Sequence, residues 1–285
     1  PENVDVQGAD FDGTAFRVVS DNENKNILYV SVKVNGGDKI ASYGMNEILQ
    51  KQYGSLLQAK PQDGFTATLK LDFSQTDDAT KKKYLETVPL FKKYIMMAPF
   101  VHAFEKFKKG EKFDAIQIPY RSEENIYIVC YDKSLVVIFS ILFVDPDDIV
   151  LAKTFLQELK DAKKDKTLGN APAVNFTQGT KPLELRDIKS SEPDSPDQLK
   201  DYGFVSMSLF ERHTEEKNRE ATIEKLLTFR NYLHYHLKCT KAYMHIRMRD
   251  RVVKLLQNLE AAKDLTGKQK VQRTASGRTF VRSNK

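Results

Sequence analysis

The sequence predicts an α+β fold, with two related α/β domains built on antiparallel sheets and a long C-terminal helix. Three observations predict it. First, the chain repeats itself. Phe11-Asp12-Gly13 is echoed by Phe113-Asp114-Ala115, an offset of 102, and Phe91-Lys92-Lys93-Tyr94-Ile95 by Phe229-Arg230-Asn231-Tyr232-Leu233, an offset of 138. Second, apolar residues alternate in short runs such as Leu28, Val30, Val32 and Val34, as half-buried strands require. Third, Phe204 to Thr266 contains neither Gly nor Pro. Most of that stretch, about 219–263, reads as one helix, roughly 67 Å long at 1.5 Å per residue.

Each half follows the same order. In the first, strands at Thr14–Ser20 and Ile27–Asn35 precede a helix at about Met45–Gln58 and a strand at Phe65–Phe73. In the second, strands at Ile116–Tyr120, Ile126–Tyr131 and Leu135–Val144 precede a helix at about Ile149–Lys163, with Asp148 as its N-cap, and a strand at Phe204–Phe210. A helix closes each half, so a β–β–α–β–α unit is used twice. The 36-residue growth in offset matches residues 165–203, rich in Gly, Pro, Ser and Asp, which read as a long loop with a short strand near Ala173–Phe176. The predicted division is 1–110, 111–262 and a basic tail, 263–285, with the first boundary at Lys109-Gly110.

The long helix has two apolar stripes. One runs Ile223, Leu226, Leu233, Leu237, Met244, Met248, Val252, Leu255, Leu259, and the other Phe229, Tyr232, His236, Cys239, Tyr243, Ile246. A surface helix needs one apolar face, so two predict a helix held between its own sheet and another body. Leu233, Leu237, Met244, Met248, Val252 and Leu255 are the expected partner-subunit anchors.

Charge is placed unevenly. Residues 263–285 hold seven basic residues and one acid, and the remainder holds 38 of each. Such a tail suits an acidic polymer or protein surface. Arg247, Arg249, Arg251, Lys254, Lys263, Lys268 and Lys270 are the candidate contacts. Nucleic-acid platforms and zinc knuckles are missing from the sequence, so specific nucleic-acid binding is not expected. No apolar run is long enough to span a membrane. Cys130 and Cys239 do not make a disulfide framework and read as small packed hydrophobes in a reducing compartment.

Catalytic and cofactor motifs are sparse. Asp10-Phe11-Asp12-Gly13-Thr14 resembles the DxDGT signature of haloacid-dehalogenase-type phosphatases, with Asp10 as nucleophile and Asp12 as general acid on Mg²⁺. That chemistry needs a buried parallel strand before the motif. Residues 1–9 do not read as one, so the phosphatase is the runner-up. His236 and Cys239 lie three apart on a helix, but two ligands do not make a zinc site. No cofactor or metal is expected.

The string Phe229–Arg249, FRNYLHYHLKCTKAYMHIRMR, resembles the signature of the large scaffold subunits, subunit 2, of the actin-related protein 2/3 complex. ADFDG at Ala9–Gly13, Tyr53-Gly54 and SGRTF at Ser276–Phe280 agree in order. The resemblance implies a core heterodimer with subunit 4, no catalytic activity, and contact with the two actin-related proteins and other subunits. It also implies binding to the side of a pre-existing actin filament during branched nucleation, in the cytoplasmic actin cytoskeleton at the cell cortex. The chain starts at Pro1, later than that family does, so a preceding family segment is expected.

Overall fold

In the computed structural model, the described residues are 3–74, 76–131, 133–162, 165, 169–266, 272–273 and 279–280, with side chains through 261. They form two antiparallel sheets, the helices around them, and one very long helix.

The first sheet has the order β1-β2-β3-β4: β1 (Asp5–Ala9), β2 (Ala15–Ser20), β3 (Ile27–Lys33) and β4 (Ala67–Asp72). Helices α1 (Gly37–Ala41) and α2 (Met45–Tyr53) lie between β3 and β4, and α3 (Asp78–Thr87), α4 (Phe91–Met96) and α5 (Ala98–Lys108) follow. Val30, Val32, Leu69 and Leu71 of the sheet and Leu49, Phe91, Ile95, Phe100 and Phe104 of the helices are buried core residues. Asp77 caps α3, its carboxylate accepting the Thr80 N–H at 3.0 Å.

The second sheet has the order β5-β6-β7-β9-β8: β5 (Ile116–Arg121), β6 (Glu124–Tyr131), β7 (Ser134–Leu142), β9 (Tyr202–Leu209) and β8 (Ala173–Gln178). Its central strands are buried nearly throughout rather than on alternate residues. The cause is cover on both faces. On one face Phe139 meets Phe229 of the long helix, ring centroids 5.2 Å apart. On the other, Tyr127, Val129, Val136, Ile138, Tyr202 and Phe204 cluster with Leu185 and Leu199 of the segment joining β8 to β9.

Comparing the sheets corrects the repeat. The exposed segment Asp5–Ala9, unassigned in the sequence reading, is an edge strand antiparallel to β2. Three strands, helix, strand, helix is therefore the common order, with β1 to β4 matching β5, β6, β7 and β9. Strand β8 is the addition, at the sheet edge, within the surplus residues 165–203. Helix α6 (Pro146–Ala162) starts before the predicted N-cap Asp148; Asp145 precedes it, its carboxylate accepting the Asp147 N–H at 3.0 Å. Helix α1 was also not anticipated.

Helices α7 (Pro196–Leu199) and α8 (Glu211–Thr214) are short, and α9 runs from Glu216 to Thr266, 51 residues. Contacts group both sheets into one unit, Pro1–Tyr235, and the rest of the chain into a second, His236–Lys285. The sheets themselves fall on either side of Lys109-Gly110. In the second unit Gln272–Arg273 (β10) pairs antiparallel with Thr279–Phe280 (β11).

Candidate interaction surface

Two ionic locks connect the first part of α9, and its counterpart α4, to the sheets. Asp10 to Thr14 forms the β1–β2 turn. The Gly13 N–H donates to the Asp10 carbonyl at 3.0 Å, the Thr14 N–H donates to Asp12 Oδ1 at 3.0 Å, and Gly13 sits at φ 80°. Lys92 Nζ of α4 bridges Asp10 Oδ2 at 2.7 Å and Asp12 Oδ2 at 2.5 Å, and Asp12 is 3% exposed. The Lys92 hydrogen bond, opposed by partial burial and aided by the Phe11 N–H, holds the Asp10 carboxyl below the usual carboxylate range.

Arg230 of α9 stands where the repeat places Lys92. Its Nε and Nη2 hold Glu124 Oε2 and Oε1 at 2.9 and 2.7 Å, and both side chains are under 8% exposed. Glu124 begins β6, right after the β5–β6 turn. So each half uses a cation from its closing helix to clamp the turn between its first two strands. Asn35 ties the halves together, donating to the Asp12 carbonyl at 3.1 Å and the Tyr120 carbonyl at 2.9 Å. The Tyr120 hydroxyl reaches Asn231 of α9 at 3.3 Å, and burial pushes its pKa up.

This geometry overturns the phosphatase alternative. The strand before the motif is an exposed antiparallel edge strand, and both carboxylates are occupied by Lys92 in a hairpin turn. Paired this way, Asp10 and Asp12 hold the fold together.

Helix α9 presents the candidate site. At about 100° per residue, Ile223, Leu226, Arg230, Leu233, Leu237, Met244, Met248, Val252, Leu255 and Leu259 fall within a sector of roughly 100°. Ile223, Leu226, Leu233 and Leu237 are 0–4% exposed. Farther along the same stripe, Met244, Met248, Val252, Leu255 and Leu259 are 42–59% exposed. Tyr243, Ile246, Val253 and Leu256 add apolar surface on other sides, also about half exposed.

The predicted anchors therefore divide. Met244, Met248, Val252 and Leu255 are open to another chain. Leu233 and Leu237 are already buried, so neither presents a surface to one, which corrects the expectation for those two. Cys239, expected to pack, is exposed, while Cys130 is half-buried. Of the basic candidates, Arg247, Arg249, Arg251 and Lys254 are all exposed. Arg247, Arg251 and Lys254 share one edge of α9, and Arg249 lies roughly 160° around from Arg247. Arg247 stacks over the Tyr243 ring at 5.5 Å. The side chain of Lys263, and Lys268 and Lys270 altogether, lie outside the described residues.

The residues that sequence reasoning missed are Arg230, Glu124 and Lys92. One signal was available: a charged side chain at position 230, inside an otherwise apolar stripe, aligned in the repeat with Lys92.

Comparison with known proteins places the chain in a family. Residues 30–266 match the family described as the Arp2/3 complex, 34 kD subunit p34-Arc. The chain is 37% identical over 273 residues to actin-related protein 2/3 complex subunit 2 of Dictyostelium discoideum, covering 95% of this chain and 89% of that protein. It is 33% identical over 304 residues to the protein of the same name from Schizosaccharomyces pombe, covering 99% and 93%. A match across most of the chain, including both sheets and the whole of α9, makes this chain a member of the p34-Arc family of Arp2/3 complex subunits.

Proposed function

We propose that the chain is a non-catalytic scaffold subunit that forms the core of its complex with subunit 4 and helps hold the two actin-related proteins. In this reading the heterodimer lies against the side of a mother actin filament during branched nucleation, in the cytoplasmic actin cytoskeleton and at the cell cortex. Residues 1–110 and 111–262 act as two related domains of the scaffold. The observation that carries the reading is the stripe on α9. Its first part is buried within the chain, and Met244, Met248, Val252 and Leu255 continue it as half-exposed apolar surface. A helix this apolar on most sides is stable in water when another chain covers it.

Co-expression tests the interface. Met248→Asp and Val252→Asp place a charge in the middle of the stripe. Each should lose subunit 4 in co-purification while residues 1–235 stay folded. Retention of the partner by both variants would remove the stripe from the interface.

The basic residues supply the second contact. Arg247, Arg249, Arg251 and Lys254, with Lys263, Lys268 and Lys270, would face an acidic filament surface. Changing Lys254, Lys263, Lys268 and Lys270 to Glu should weaken cosedimentation of the assembled complex with actin filaments and flatten its salt dependence. Unchanged cosedimentation would move the filament contact to the two globular domains.

A further inference from the structure

The segment joining β8 to β9 contains the only Ser-Pro or Thr-Pro step in the sequence, Pro193-Asp194-Ser195-Pro196. The structure presents it in a particular way. Glu192 and Leu199 are buried, at 4% and 5% exposed, and residues 194–198 between them are all exposed. Glu192 plugs into the second sheet, where its carboxylate accepts from the Tyr127 hydroxyl and, at 2.9 Å, from the Asn125 amide. Lys181 holds the same segment through the Glu192 carbonyl at 3.2 Å and Asp194 Oδ1 at 2.5 Å. The result is an exposed arch fixed at both feet.

Ser195 stands at the top of that arch. Its backbone is extended, φ −72° and ψ 129°, and its side chain makes no capping bond to α7. The nearby Ser191 differs, because its hydroxyl accepts from Gln117 and, at 3.1 Å, from Asn125. Pro196 enforces the extended shape of the residue before it. It also has no N–H. A catalytic groove that offers no acceptor at that position takes proline without loss and leaves the amide of any other residue unpaired. Pro193 reduces the freedom of the chain on the other side.

We propose that Ser195 is a phosphorylation site for a proline-directed serine kinase, a modification that does not depend on the scaffold reading above. The Ser195 Oγ attacks the γ-phosphorus of ATP held by the kinase, and the bond from that phosphorus to the β-phosphate oxygen breaks. ADP leaves, and the hydroxyl proton passes to the kinase's carboxylate base. The product adds a charge of about −1.5 to −2 between Asp194 and Asp197, beside the carboxylate that Lys181 holds.

The test uses the full chain, co-purified in its complex, with Mg-ATP and a purified proline-directed kinase of the mitogen-activated class. Peptide mass spectrometry should find one phosphate, on Ser195. Ser195→Ala should abolish it. Pro196→Ala, an exposed change, should reduce its rate about tenfold or more, as expected when one backbone donor is left unpaired. No phosphate on Ser195 in the folded complex would overturn the proposal, even if a free peptide of residues 189–201 is phosphorylated. Undiminished phosphorylation of the Pro196→Ala complex would overturn it equally.

Discussion

The two ends of α9 carry the same apolar stripe and do different things with it. Near the start, Ile223, Leu226, Leu233 and Leu237 are buried, and Arg230 among them is matched by Glu124. From Met244 onward the stripe is about half exposed, and no described residue of the chain covers it to the degree seen at Leu233. Apolar spacing is thus the requirement for a buried face but does not say which molecule provides the cover. A charge inside the stripe is tolerated where a partner is built for it, as Glu124 is for Arg230.

The largest expected effect separates the ends at that ion pair. Glu124→Ala leaves the Arg230 guanidinium buried without its carboxylate and should cost about 3–5 kcal/mol. Urea unfolding of the purified protein measures it. A loss near zero would mean that water replaces Glu124 and that the first part of α9 is less tightly packed than its burial indicates.

The corresponding lock in the first half should matter less, since Lys92 and Asp10 are partly exposed. Lys92→Met removes the charge-assisted bonds to Asp10 and Asp12 and should cost roughly 1.5–3 kcal/mol at neutral pH. The sign of its pH dependence follows from the Asp10 carboxyl, which the Lys92 hydrogen bond holds below its unfolded value of about 3.9. Stability from that depressed pKa is present above the unfolded value and fades as pH falls through the folded one. The gap between wild type and Lys92→Met should therefore be widest near pH 7 and narrow below about pH 4. A gap that stays constant down to pH 3 would place the effect in lost packing of the lysine stem.

The smallest effect on stability is expected at the far end of α9, and there the comparison is sharpest. Leu233→Ala should cost roughly 2–5 kcal/mol in the chain by itself. Met248→Ala, on the same stripe, should change it by no more than about 0.5 kcal/mol. Thermal or urea unfolding of the two variants in parallel checks this, and equal losses would show that the far stripe is already packed within the chain. Assembled with its partner, the complex should respond to both.

Much of the fold was legible in the residues. Period-two runs such as Leu28 to Val34 marked strands because one face of an antiparallel strand is buried, and the Gly- and Pro-free stretch marked α9 because nothing in it interrupts a helix. The repeat was legible through Phe91–Ile95 and Phe229–Leu233, where the same face recurs and a cation, Lys92 or Arg230, stands at the same place. Strand β1 was not, because DVQGA is exposed along its whole length and edge pairing leaves no hydrophobic signature. The near-continuous apolar run of β7 gave no warning that the β8–β9 segment covers its second face, since burial on both sides reads alike whether helix or loop provides it.

The sequence by itself determined the two-sheet α+β plan, the presence of one long unbroken helix and the stripe along it, because these rest on local spacing and on the absence of breakers; α9 runs a few residues beyond the expected 219–263 at each end. Tertiary structure decided the partners of the charges. Lys92 with Asp10 and Asp12, and Arg230 with Glu124, join residues 80 to 106 positions apart, and no local pattern encodes which distant carboxylate will meet a given cation. It also decided which positions of the α9 stripe are buried and which are left open, a distinction that depends on what packs against each position and is invisible to a periodicity that runs unchanged from Ile223 to Leu259.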